Sequence, residues 1–128
     1  MRKSKKYLKR SKFITKDSGK REKFKTGAQR DTEDNKGRYD LIPEYPLLRL
    51  AQLYERGAQK YTSHNWRKSM PFSRCMSSLI RHAFQFKQGL KDEDHLAAVV
   101  FNAFCIMQYE KDIKDGKISK EIDDLYKS

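Results

Sequence analysis

Two histidines and three adjacent acids fall within one stretch of the chain: His82, then Asp92, Glu93, Asp94 and His95. Imidazole nitrogens and carboxylate oxygens gathered together suit a divalent cation such as Mg2+ or Mn2+, with carboxylates leading for Mg2+. A cation held there neutralises phosphate charge and activates a water. Three consecutive acids point in different directions, so at most two of them can join one site. His82 stands beside Arg81 on the flank of an apolar helical face. It can face a cleft or serve as a packed structural residue, and the spacing admits both.

A polar stripe on an otherwise apolar segment is the next signal. With His95 at zero and 100° per residue, Ala98 falls at about 300° and Asn102 at about 340°. His95 and Asn102 therefore share one helical face, two turns apart. Burying an amide without partners costs about 1–3 kcal/mol, so Asn102 either faces a ligand or bonds to a neighbouring helix or backbone group. The segment YERGAQKYTSHNW (54–66) adds cations at Arg56 and Lys60, hydrogen-bonding groups at His64 and Asn65, and flat rings at Tyr54, Tyr61 and Trp66. A base can stack on such a ring while Lys or Arg reaches the phosphates. Equally, Tyr61 and Trp66 can lock an inter-helix loop onto the core. In TGAQRDTEDNKGRYDLIP (26–43), Arg30, Lys36 and Arg38 alternate with Asp31, Asp34 and Asp40 near Gly27 and Gly37. Backbone amides freed by glycine, with an arginine nearby, can hold an anion; a turn-rich connector is the plain alternative.

Helices must position these groups. After Pro46, Leu47, Leu50, Ala51, Tyr54 and Ala58 recur with helical spacing, which predicts a helix over about 45–58. A second begins near Pro71–Ser73, with Ser73 as N-cap and Met76, Leu79, Ile80, Ala83 and Phe86 as its apolar face, and stops at Gly89. A third follows the acidic cluster and runs to about Lys111. Acids at its start favour the helix dipole and cap free amides. It is apolar nearly all round, so it should be central. A short amphipathic helix is expected over 118–126. No strand-like alternation of useful length appears. The fold class is all-α: a small bundle of three main helices plus a short C-terminal one.

The chain has 128 residues and a formal net charge of +12. Residues 1–30 carry 13 Lys/Arg against Asp17 and Glu22, whereas the other 98 residues carry 16 against 15 acids. This predicts a basic, disordered arm over 1–25 and a helical domain over 26–128. The charge of residues 1–30 suits a nucleic acid or another polyanion through phosphate contacts and counterion release, or simply solubility. No apolar run approaches the roughly 18–20 residues of a membrane helix, and no signal peptide is legible, so no membrane is expected. Cys75 and Cys105 lie among apolar residues and read as free thiols in the cytoplasm. No nucleophile elbow, P-loop, GxGxxG, CxxC or HExxH pattern occurs. A core this small with an all-apolar helix predicts a homo-oligomer.

Three blocks, TGAQRDTEDNKGRYDLIP (26–43), LLRLAQLYERGAQKYTSHNW (47–66) and LIRHAFQFKQGLKDEDHLAAVVFNAF (79–104), together resemble the phage-associated N-terminal domain of dATP/dGTP diphosphohydrolases. The resemblance implies an all-α fold of the MazG-like nucleotide pyrophosphatase group. It also implies cleavage of a purine deoxynucleoside triphosphate to monophosphate and pyrophosphate with Mg2+ or Mn2+, adjusting a phage's nucleotide pool in the host cytoplasm. Carried onto this sequence, the expected catalytic residues are His82, Glu93, Asp94 and His95, with Glu93 and Asp94 as metal ligands. The expected substrate-binding residues are Arg38, Asp40, Lys60, Tyr61, Asn65, Trp66, Arg81 and Asn102. The paired acids one turn apart of MazG-like enzymes are absent: Glu44 and Glu55 are eleven apart, and no acid lies between Asp94 and Glu110. That leaves a different ligand set or a non-catalytic nucleotide-binding module, and the basic arm leaves a small nucleic-acid-binding phage protein as the alternative reading.

Overall fold

The computed structural model describes residues 12–126. Contacts divide the chain after Leu41 into two units. In the first, strands β1 (Arg21–Lys23) and β2 (Gln29–Asp31) pair antiparallel, with Glu22 opposite Arg30. Gly27, at φ 89°, closes the turn, and its amide donates to the Phe24 carbonyl at 2.9 Å. The hairpin departs from the disorder expected of 1–25, because Arg21–Lys23 are ordered by pairing with the loop segment. Three-residue strands are too short to display a period of two, which is why the sequence showed no strand there. Residues 1–11, which hold much of the basic arm, lie outside the described residues. Two pairs form within the alternating charges of 26–43: Lys36 Nζ reaches Asp31 at 3.2 Å, and Arg38 clasps Asp40 with two bonds of 2.8 and 2.9 Å. Asp31 also accepts from the Ser18 hydroxyl.

The second unit is helical. Helix α1 spans Glu44–Lys60, α2 Phe72–Lys87 and α3 His95–Lys114. Short 3-10 turns lie at Asn65–Lys68 and Lys120–Ile122. All three main helices fall where periodicity placed them. Helix α2 ends at Gly89, whose φ of 82° lets its amide donate to Phe86 O at 2.9 Å while the Leu90 amide donates to Gln85 O at 3.1 Å. This pair of bonds satisfies two otherwise open carbonyls and turns the chain into the acidic cluster. Among the described residues, no helix is long and apolar enough to cross a membrane.

Helices α2 and α3 run antiparallel, with Phe72 beside Tyr109 at one end and His82 beside His95 at the other. Phe72, Cys75, Cys105 and Tyr109 form the buried core, and Trp66, Phe101, Ile113, Ile118 and Ile122 pack on it. Both cysteines are free and buried, and desolvation pushes the Cys105 thiol up to about 12. The N-cap of α2 is Pro71, not Ser73. Ser73 lies inside the first turn, where its amide and hydroxyl donate to Asp124 at 2.8 and 2.6 Å. That contact also explains the missing C-terminal helix. Asp124 must reach back to α2, so 118–126 keeps only a single 3-10 turn, with Ile118 and Ile122 still covering the core.

Candidate metal centre

The polar end of the α2–α3 pair collects the chemistry. His82 lies on the last turns of α2 and His95 on the first residue of α3, 7 % and 2 % exposed. Their Nδ1 atoms stand 2.9 Å apart. His95 Nε2 lies 2.9 Å from Asp92 Oδ1, and an Arg81 guanidinium nitrogen is 3.4 Å from His82 Nε2. Arginine can only donate and a carboxylate can only accept. The network therefore assigns a proton to His95 Nε2 and leaves His82 Nε2 as an acceptor. His82 Nδ1–H then donates to the bare His95 Nδ1. Burial, reinforced by Arg81, pushes the His82 pKa below its ordinary value, so the ring is neutral at pH 7.

A nitrogen of each histidine and a carboxylate oxygen of Glu93 lie within 4.8 Å of one another. Glu93 is exposed, whereas both histidines are buried. Next to this group opens a cleft of about 650 Å3, lined among others by Arg49, Phe86, Lys91, Glu93, His95 and Leu96. Its size is within the range of small-molecule sites. The three consecutive acids take separate roles. Asp92 holds His95, Glu93 joins the histidines, and Asp94 turns to Arg49.

Asp94 is engaged on all sides. It is the N-cap of α3, accepting from the Ala97 amide at 3.1 Å, and it forms a two-pronged pair with Arg49 of α1 at 2.6 and 2.9 Å. The Arg49 bond holds its carboxyl below the usual carboxylate range. Its place is therefore to anchor α1 to the start of α3, outside the His–Glu group. Asp94→Ala is expected to cost about 1–2 kcal/mol through the lost cap alone. Asp94→Asn, which keeps a capping oxygen, should cost less. Urea unfolding of the two variants checks this, and equal midpoints would remove the capping role.

The other expected residues are distributed more widely. Of the two roles open to Asn102, the bonds observed are those of helix pairing: it donates to Ala98 O at 2.8 Å and to Ser78 Oγ of α2 at 3.3 Å. Trp66 packs edge-on to Tyr54 and near Tyr109, and its carbonyl accepts from the Tyr109 hydroxyl. Lys60 sits over the Tyr61 ring at 5.2 Å. Neither these two nor Asn65 and Trp66 line the cleft. Arg38 and Asp40 belong to the first unit and pair with each other. Sequence reasoning did not single out Arg49, Asp92 as the His95 partner, or Ser78. The only signal for Arg49 was a cation inside the apolar run of α1.

Residues 26–120 match the family described as dATP/dGTP diphosphohydrolase, N-terminal. The chain belongs to this family. The dATP/dGTP diphosphohydrolase N-terminal match takes in all three helices and the whole His82–Glu93–His95 group. No curated protein and no solved structure matches the chain.

Proposed function

We propose that the protein hydrolyses the purine deoxynucleoside triphosphates dATP and dGTP to monophosphate and pyrophosphate, with a divalent cation held by His82, Glu93 and His95. The observation that carries this reading is the convergence of those three side chains beside a nucleotide-sized cleft in a chain of this family. Their donor set fits a cation: a neutral buried imidazole, a second imidazole oriented by a carboxylate, and an exposed carboxylate free to move inward. When bound, such a cation offsets phosphate charge and lowers the pKa of a coordinated water. The chain's own groups do the rest. Asp92 fixes the His95 ring, Lys91 brings positive charge to the cleft, and Phe86 and Leu96 provide apolar surface for a base. Arg49 and Asp94 hold the helix ends that carry these groups. The test is consumption of each dNTP with a divalent cation and after chelation. Cation-dependent loss of dATP and dGTP supports the reading; no loss of any dNTP refutes it.

The enzyme works as a homo-oligomer in the cytoplasm, where it adjusts the nucleotide pool of an infecting phage. Val100, Phe104 and Met107 support assembly, because they fall on one side of α3 and are 41–63 % exposed. Phe104→Glu should convert the oligomer to monomer in light scattering; a monomeric parent protein would contradict assembly.

A further inference from the structure

We infer that the His82–Glu93–His95 cluster selects a first-row transition cation, of the Mn2+, Co2+ and Zn2+ class, against Mg2+. The inference rests on reading this cluster as a cation site and goes further, to which cations it accepts. Mg2+ is a hard cation that asks for oxygen ligands in near-ideal octahedral order and keeps most of its waters. Two of the three donors here are imidazoles, which bind Mg2+ poorly and transition cations well, in the order Mn2+ below Co2+ below the later metals.

The Nδ1 atoms of His82 and His95 are separated by 2.9 Å. Both rings are buried and joined by the Nδ1–H···Nδ1 bond, so a cation held by both nitrogens would take the place of the shared proton. Asp92 accepts from His95 Nε2 at 2.9 Å, the second-layer arrangement that fixes a ligating ring and raises its basicity. To bind through Nδ1, His82 would carry its proton on Nε2 instead, and the 3.4 Å contact of that nitrogen with the Arg81 side chain would have to be given up. Glu93 supplies the anionic third donor.

The experiment uses the untagged full chain in equilibrium dialysis, with metal content read directly and Co2+ visible absorption as a second signal. The expected result is retention of Mn2+, Co2+ or Zn2+ in the presence of about 100-fold more Mg2+, and visible Co2+ bands typical of nitrogen ligation. Glu93→Gln, at an exposed position that leaves packing intact, should weaken retention, and Asp92→Asn should weaken it by roughly 10–100-fold. His82→Ala should abolish it, with circular dichroism reporting that the helices remain. Equal competition by Mg2+, lost in Glu93→Gln, would overturn the selectivity and leave the cation site standing. Retention of no cation, or retention unchanged in Glu93→Gln and His82→Ala, would overturn both.

Discussion

His95→Ala is expected to lower turnover of dATP and dGTP by about 100-fold or more, the loss that follows removal of a ligand or proton-handling group. His95 is buried, touches His82 on one ring nitrogen and Asp92 on the other, and borders the cleft. No other described residue can replace its Nδ1 in that position. Asp92→Asn should give a smaller loss, because the ring remains but its orientation and basicity are relaxed. The contrast with Asn102→Ala is informative. Its bonds run to Ala98 and Ser78, between helices, so it should lower stability and leave turnover per folded molecule close to that of the parent. Rates measured on variants with matched far-ultraviolet circular dichroism check both statements. Full turnover in His95→Ala would remove the cluster from the chemistry.

The largest expected effect on stability comes from the other end of the same helix pair. Tyr109 is 1 % exposed and lies at 6.3 Å from both the Phe72 and Trp66 rings, with Cys75 and Cys105 in the same cluster. Truncating a buried aromatic side chain costs about 3–5 kcal/mol, and a domain of this size has only about 5–15 kcal/mol in total. Tyr109→Ala should therefore remove a large share of the total stability and shift the urea midpoint strongly downward. Tyr109→Phe keeps the ring and loses only the bond to the Trp66 carbonyl, a cost of about 1 kcal/mol. Trp66 is the single tryptophan of the chain, so its fluorescence in a urea titration reports directly on this core. A parent-like midpoint for Tyr109→Ala would mean that the core lies elsewhere.

The helices were legible because each carries a long apolar period and a physical stop. The apolar positions of α1 and the glycine after α2 are local features, and so is the acid before α3. The placing of His95, Ala98 and Asn102 on one face was likewise readable, since it follows from helix geometry. What was not readable depends on partners far along the chain. Arg49 and Asp94 meet across 45 positions, and Ser73 and Asp124 across 51. The first pair makes Asp94 a helix anchor, and the second replaces the C-terminal helix with a strap. The sequence placed the three acids in one cluster without distinguishing them, because their roles depend on which side chain each one meets. Trp66 shows the same limit: the residue type suits nucleotide stacking, but its ring packs on the core.

The central claim concerns which bond is broken in which substrate, and phosphorus nuclear magnetic resonance during turnover tests it most directly. The protein is incubated with dATP or dGTP and a divalent cation, and the phosphorus signals are followed with time. The account predicts that the triphosphate signals give way to a deoxynucleoside monophosphate and pyrophosphate in equal amounts, with the reaction suppressed in His82→Ala. Appearance of inorganic phosphate with the diphosphate, or of free triphosphate, as the first product would contradict it.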